Sequence, residues 1–132
     1  MCMLFRKTAD VSLPESYYKD LWSHNSDGLG IWNFTEKKLV KTMSKSKGWE
    51  YIQNHQKDDL MIHFRFATSG DKNCQLAHPF YVGKNKILFH NGVLSTFRGT
   101  FEKSDTWQLA QMFKEANAST KMMVKYLEEF EK

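Results

Sequence analysis

The chain has 132 residues, the usual length of one domain. Hydrophobic residues make up 41% and charged residues 26% of it, an ordinary globular composition that excludes a disordered chain, a collagen and a disulfide-dense miniprotein. The net charge of +4 is mildly basic, and no apolar run approaches the length of a membrane span.

The cysteine content and the N-terminal residues bear on the cellular compartment. Two cysteines, Cys2 and Cys74, are too few for a disulfide framework and favour a reducing compartment. Charges at Arg6 and Lys7 interrupt the N-terminal apolar run before a signal-peptide core is formed. We therefore expect a soluble, cytoplasmic protein with a single domain over residues 1–132.

The first half of the chain predicts three strands and two helices. A short apolar run predicts a strand at 3–5. A proline followed by an acid opens a helix at 14–24, because proline fits the first helical turn and an acid stabilises the helix N-terminus. Strands at 29–34 and 39–43 are predicted to pair as a hairpin, and a helix at 48–56 follows.

The second half contains the clearest strand, at 59–67. Apolar side chains lie on both of its faces, so it is predicted to be an interior strand, where Arg65 needs a partner because a buried unpaired charge is costly. A hairpin with strands at 80–82 and 87–90 follows, and then a helix capped by Ser104. The last helix carries a core-facing stripe of Met123, Tyr126, Leu127 and Phe130. The predicted class is α+β, with antiparallel sheets and helices outside them.

Lysines concentrate around the first hairpin and the second helix, with aromatic residues nearby. One interpretation is a nucleic-acid face. The other is a solvated hairpin edge defended by lysines, which we favour because the lysines do not continue into a longer basic stripe. The residues are Lys37, Lys38, Lys41, Lys45 and Lys47.

Cys2 is the first candidate catalytic residue. Removal of the initiator methionine makes it the N-terminal residue, with a free α-amine beside the sulfur. An α-amine titrates at about pH 8 and can serve as the base for an adjacent nucleophile, and a thiol is an intrinsically strong nucleophile. The alternative is an ordinary strand cysteine behind a start codon.

A second candidate follows the interior strand, where Arg65 leads into Phe66, Thr68, Ser69 and Gly70. The guanidinium is a planar fork that fits a carboxylate, the hydroxyls add hydrogen bonds, and glycine allows a close approach or a turn. The segment is a candidate carboxylate-binding corner; alternatively, Arg65 pairs with a structural acid.

Two further candidates lie downstream. Asn91 and Gly92 place a side-chain amide beside a backbone N–H, the pair of donors that an oxyanion hole requires, although Asn-Gly is also a common turn. Asp105, at a helix N-terminus, can bind an ammonium group or stabilise the helix.

Cys74 supports neither of two other kinds of site. A structural zinc needs four ligands, and no fourth ligand accompanies Cys74, His78 and His90. The residues around Cys74 do not resemble those of a papain-like protease. We therefore expect no metal and no cofactor.

Taken in order, these segments resemble one family, the class II (N-terminal nucleophile) glutamine amidotransferase domain. The similarity is greatest to small standalone members found in bacterial and phage genomes, and residues 27–31 resemble their early strand. It covers most of the chain, from Cys2 to about Thr106. The segments that carry it are Cys2 and residues 65–70, 78–80, 90–92 and 104–106.

The resemblance implies a four-layer αββα sandwich, here truncated, and a glutaminase reaction. Cys2, once N-terminal, attacks the side-chain amide of glutamine and gives a γ-glutamyl thioester, ammonia and then glutamate. Arg65, aided by Thr68, holds the substrate α-carboxylate, and Asp105 holds the α-ammonium. The implied catalytic residues are Cys2, Asn91 and Gly92, and the implied substrate-binding residues are Arg65, Phe66, Thr68, Ser69 and Asp105.

The sequence departs from the family at three points. Met3 follows the nucleophile where glycine is usual, Ser69 stands where histidine or asparagine is common, and the strands that follow the helix at Asp105 are missing. The chain is therefore expected to be a minimal variant, a fragment or one part of a pair. An ammonia-using synthase would be a separate partner. The alternative hypothesis is a catalytically weak or inactive binding module, for example a phage protein that engages a host protein.

Overall fold

A computed structural model of the chain describes residues 2–68, 70–94, 96–97 and 103–130. Over these residues the fold is α+β, as the sequence predicts. The helices are α1 (Glu15–His24), α2 (Lys45–Asn54), α3 (Asp105–Glu115) and α4 (Thr120–Phe130), and a 3-10 turn covers Cys74–Leu76. The strands are β1 (Met3–Lys7), β2 (Leu29–Asn33), β3 (Lys38–Thr42), β4 (Leu60–Phe64), β5 (Phe80–Gly83) and β6 (Lys86–Leu88). None of the helices in the described ranges has the length and apolar character needed to cross a membrane.

Four of the strands form an antiparallel sheet in the order β1-β4-β2-β3. The prediction of an interior strand is confirmed, because β4 lies between β1 and β2. Phe64, its last residue, pairs with Met3 on one side and with Leu29 on the other. The sheet therefore brings the N-terminus of the chain beside the end of β4.

Helices α1 and α2 pack against one face of this sheet. Tyr18 of α1 and Ile52 of α2 are buried with the alternate residues Leu60, Ile62 and Phe64 of β4. Burial of each large apolar side chain contributes roughly 2 kcal/mol, so this cluster is a principal source of stability.

The second hairpin, β5-β6, forms another core cluster with α3 and α4. The loop that leads into this hairpin approaches the opposite face of the sheet at Gly30, where a Cβ atom would lie 1.2 Å from the carbonyl oxygen of His78. Glycine is therefore required at this point of β2. The predicted stripe of α4 faces the same cluster through Met123, Tyr126 and Leu127; the side chain of Phe130 is outside the described part of the chain.

The strand predicted at 59–67 is shorter in the structure, where β4 covers Leu60–Phe64. The Arg65 N–H still donates to the Gly28 carbonyl at 2.8 Å, but Gly28 has a φ of +136° and the ladder does not continue regularly. The Phe66 N–H donates instead to the sulfur of Cys2, at 3.2 Å. Arg65 and Phe66 therefore lie just beyond the end of the sheet rather than within it.

Two other boundaries also differ from the prediction. The helix predicted at 48–56 begins at Lys45, because the Ser44 side chain caps it by accepting a hydrogen bond from the Lys47 N–H. The second strand of the later hairpin is predicted at 87–90, whereas β6 covers Lys86–Leu88 and so ends two residues earlier.

The lysine-rich hairpin lies at the edge of the sheet, in β3, as the interpretation of a defended edge expects. Lys41 is an exception to the solvated arrangement. Its ammonium lies 4.6 Å from the centre of the Phe80 ring, and burial lowers its pKa to about 8. The lysines therefore do not form one uniformly exposed basic surface.

Candidate active site

A small cavity lies where the start of β1, the end of β4 and the start of α3 meet. The predicted site residues Cys2, Arg65, Phe66, Thr68, Gly92 and Asp105 all line it. The remaining lining residues are Ala67, His78, His90, Ser104 and Thr106. Segments that are far apart in the sequence thus converge on one point of the fold.

The sulfur of Cys2 is held against the backbone of Phe66. The Phe66 N–H donates to Sγ at 3.2 Å, and the thiol lies 3.4 Å from the Phe66 carbonyl oxygen. Because β1 pairs with β4 up to Met3 and Phe64, the register continues with Cys2 opposite Arg65, and the Cys2 sulfur meets the backbone of the next residue, Phe66. The strand register therefore determines the position of the sulfur.

Arg65 is buried, with 3% of its surface exposed. Its Nη1 donates to the Asp71 carbonyl oxygen at 2.7 Å, which provides the partner that the sequence required. Burial lowers the pKa of Arg65, and the negative charges of Asp27, Asp71 and Asp105 oppose that shift. Since an arginine remains charged in proteins, the cavity contains a buried cation.

Asp27 holds the segment that carries Arg65. Its Oδ2 accepts a hydrogen bond from the Ala67 N–H at 2.8 Å, and its Oδ1 lies 3.3 Å from the Lys72 ammonium. No pattern in the sequence predicts this role for Asp27. The available signal for Asp27 was its position in residues 27–31, which resemble the early strand of the amidotransferase family.

Asp105 is buried and lines the cavity at the start of α3. Its Oδ2 accepts a hydrogen bond from the Leu94 N–H at 2.8 Å, and its Oδ1 accepts one from the Thr106 N–H at 2.7 Å. The predicted cap is confirmed at Ser104, whose side chain accepts from the Trp107 N–H. Asp105 therefore joins the preceding loop to the helix and adds a carboxylate to the cavity that contains Arg65.

Gly70 brings the segment after β4 close to the start of α3. It has a φ of +78°, and a Cβ atom there would lie 2.7 Å from the Ser104 backbone nitrogen. The sequence predicts a close approach or a turn at this glycine, and the structure has both. Ser69, the residue before it, lies outside the described residues.

Asn91 and Gly92 differ in their relation to the cavity. Gly92 lines it and has a φ of +142°. Asn91 is exposed and is not among the lining residues. The structure therefore brings the glycine of the predicted oxyanion pair to the cavity and leaves the asparagine side chain outside it.

Two buried histidines stack beside the site. The rings of His63 and His78 have their centres 4.2 Å apart and are inclined by 10°. His78 Nδ1 accepts a hydrogen bond from the His90 N–H at 3.0 Å, which links the loop before β5 to the segment after β6. Burial, and then the charge of Arg65, lower the pKa of His63 to about 4, and burial lowers the pKa of His78 well below its usual range.

Because His63 is neutral when folded, we expect stability to fall in acid. The unfolded His63 binds a proton below its ordinary pKa of 6.5, whereas the folded ring does so only near 4. Stability is therefore intact above pH 6.5 and is lost as the pH falls toward 4, by about 3 kcal/mol from this group, and His78 acts in the same direction. Urea unfolding at about pH 7 and pH 4 measures this loss.

His63→Phe is expected to remove about 3 kcal/mol of the pH dependence, whatever its effect on stability at neutral pH. His24→Phe is the matched control, because it replaces a histidine whose side chain is 73% exposed rather than buried. An equal loss in acid for the wild type and His63→Phe would contradict the assignment.

The site cavity is much smaller than another opening in the molecule. Its volume is about 20 Å³, enough for about one water molecule. A groove of about 960 Å³ lies between the β2–β3 turn, the second hairpin and α4. The groove contains none of the predicted site residues.

Cys74 lies in the 3-10 turn, outside the cavity. Together with His78 and His90 it does not form a cluster of metal-ligating atoms in the part of the chain that the structure describes. No protein-family model, curated protein or solved structure matches this chain. The motifs and the geometry of the cavity are therefore the features that indicate a function.

Proposed function

We propose that the protein is a glutaminase of the class II amidotransferase type, with Cys2 as an N-terminal nucleophile. The observation that supports this most strongly is the convergence of a thiol, a buried guanidinium and a buried carboxylate on one cavity, at Cys2, Arg65 and Asp105. A zwitterionic amino acid needs one cation and one anion in its binding site, and a side-chain amide needs a nucleophile.

In the proposed reaction, the α-amine of Cys2 takes the thiol proton, and the thiolate attacks the side-chain carbonyl carbon of glutamine. A backbone N–H at Gly92 stabilises the oxyanion that forms. The C–N bond then breaks, and the α-amine returns the proton to the leaving ammonia. Water hydrolyses the γ-glutamyl thioester to glutamate and restores the thiol.

The guanidinium of Arg65 would pair with the substrate α-carboxylate, and the carboxylate of Asp105 with the α-ammonium. Asn91 would join the oxyanion hole only if its loop turned the amide toward the cavity. Because the cavity holds about one water molecule, substrate entry also requires it to widen. Phe66 and Thr68 are the exposed residues of its wall beside Arg65.

A four-layer sandwich is part of the same proposal. It is supported by the packing of α1 and α2 on one face of the sheet and of the second hairpin, with α3 and α4, near the other face. At Gly30 the first sheet approaches the backbone of His78, in the loop that leads into the second hairpin.

The experiment that tests the proposal is an intact-mass spectrum after incubation with diazo-oxo-norleucine, a glutamine analogue that alkylates nucleophiles. We expect a chain that lacks Met1 and carries one adduct, which peptide mapping places on Cys2. Excess glutamine should slow the labelling, and Cys74→Ala should label as the wild type does. A chain processed at Met1 but unlabelled would overturn the proposal.

The second candidate function is a binding module without activity, and the large groove favours it. The walls of the groove are mainly apolar, and Lys37, Lys84 and Lys86 lie along it. An apolar segment with acidic residues from a partner protein is the occupant that fits this chemistry. Absence of labelling, together with retention of Met1, would favour this function.

A further inference from the structure

A cluster of three potential ligand residues lies at the other end of the sheet. Glu36 is in the turn between β2 and β3, His55 follows α2, and Asp58 precedes β4. One nitrogen or oxygen atom from each comes within 4.8 Å of the others. The cluster is accessible, since the side chains of Glu36 and His55 are 45% and 21% exposed.

The hydrogen bonds of His55 determine which nitrogen faces the cluster. Nδ1 lies 2.7 Å from the carbonyl oxygen of Tyr51 and must carry a proton, because a carbonyl only accepts. In the neutral imidazole Nε2 then presents a lone pair, and it lies 3.4 Å from Oε1 of Glu36. Two lone pairs directed at one point need a cation between them, either a proton or a metal ion.

The rest of the environment holds these ligands in place. The Tyr51 ring stacks on the His55 ring, with the ring centres 4.0 Å apart. Asn33 is completely buried, and its amide donates to Oδ2 of Asp58 at 2.8 Å. The Asn33 carbonyl oxygen also accepts from the Glu36 N–H at 2.9 Å. Hydrogen bonds of this kind, which orient an imidazole and a carboxylate from outside, are typical of metal sites.

We propose that Glu36, His55 and Asp58 bind one divalent transition-metal ion, with Zn²⁺ as the best fit. One imidazole nitrogen and two carboxylates suit Zn²⁺ better than Mg²⁺ or Ca²⁺, which prefer oxygen alone. A tetrahedral ion at about 2.1 Å from each ligand separates its ligands by about 3.4 Å. The distance between Nε2 and Oε1 is 3.4 Å. Water would complete the coordination.

This site is independent of the proposed glutaminase. It lies at the start of β4, whereas Cys2 and Arg65 lie at the end of that strand, and a strand of 5 residues spans roughly 16 Å. The ion would link the β2–β3 turn to the end of α2. It would therefore connect the sheet to the helix layer.

Isothermal titration of the metal-free full chain with ZnCl₂ tests the site. We expect one ion per chain, and at least a 10-fold loss of affinity in Glu36→Gln and in His55→Gln. Glu36→Gln removes the charge at an exposed position, so the variant should fold. His24→Gln is the control, because His24 also lies beside a carboxylate, Asp20 at 3.8 Å, but belongs to no three-ligand group of described residues.

Absence of stoichiometric binding would overturn the proposal. Binding that is unchanged in both Glu36→Gln and His55→Gln would overturn it as well. If the affinity instead falls in Cys2→Ser or Cys74→Ser and survives in Glu36→Gln, the thiols bind the zinc and the site is wrong. If the protein binds zinc as described but releases no ammonia from glutamine, the proposed function fails and the metal site stands.

Discussion

Cys2→Ala is expected to lower the proposed glutaminase activity by at least about 1000-fold, because the substitution removes the attacking atom and leaves no group that can form the thioester. Cys2 is half-buried, and its sulfur contacts only the Phe66 backbone among the hydrogen bonds described above. The variant should therefore fold as the wild type does. Release of ammonia from glutamine is the measurement, with circular dichroism to check the fold.

Cys74→Ala provides the matched control. Cys74 is the other cysteine of the chain, is also half-buried and lies outside the cavity. Its removal should change activity by less than about twofold, in line with a substitution away from the site. If both variants were as active as the wild type, Cys2 would not be the nucleophile.

The same chemistry predicts that the free α-amine is required. A chain produced with a cleavable N-terminal extension has Cys2 in a peptide bond, so the amine is absent as a base. We expect activity to appear only after cleavage that leaves Cys2 first. An extended chain that is fully active would place the general base elsewhere.

Gly30→Ala is expected to destabilise the fold by at least about 3 kcal/mol. The new Cβ would lie 1.2 Å from the carbonyl oxygen of His78 and 2.5 Å from its carbonyl carbon, so either the backbone of β2 or that of the His78 loop must move. Overpacking of a well-packed interior usually costs about 1–3 kcal/mol, and here the contact is with backbone on both sides. Thermal unfolding should show a loss of roughly 10 °C or more.

Gly83→Ala is the corresponding control in the second hairpin. A Cβ there would meet only the side chain of Lys86, at 3.6 Å, which is an ordinary contact. We expect a change of less than about 1 kcal/mol. Equal stability of the two variants would mean that the His78 loop does not approach β2 as closely as the structure has it.

The Gly30 contact also bears on activity. His78 lines the cavity, and its ring stacks on His63, which pairs with Gly30 across β2 and β4. A displaced His78 loop would alter the wall of the cavity. Gly30→Ala that remains folded is therefore expected to be less active than Gly83→Ala.

Local patterns predicted the element types well. Alternation along 59–67 predicted an interior strand, which the structure confirms as β4, and the spacing of Met123, Tyr126 and Leu127 predicted the buried face of α4. The ends of the helices and strands were predicted less well, because they depend on hydrogen bonds with residues outside the element. β4 ends early since Phe66 meets the sulfur of Cys2, and α2 starts early because Ser44 caps it.

The candidate site follows the same division. The motifs identified Cys2, Arg65 and Asp105 as residue types able to hold and attack an amino-acid amide. They did not identify Asp27, whose carboxylate supports the Arg65 segment from an earlier loop. They also suggested Asn91, which the fold leaves exposed outside the cavity.

By itself, the sequence determined the α+β class, the amphipathic faces and the chemical types available for a site, because each depends on residues close together in the chain. Only the tertiary structure decided which of those residues meet. The register of β1 on β4 places Cys2 at the end of β4, where its sulfur meets the Phe66 N–H, and the absent side chain of Gly30 admits the His78 loop. Likewise, Glu36 and His55 share no motif, and they become neighbours only because a turn and a helix end at the same edge of the fold.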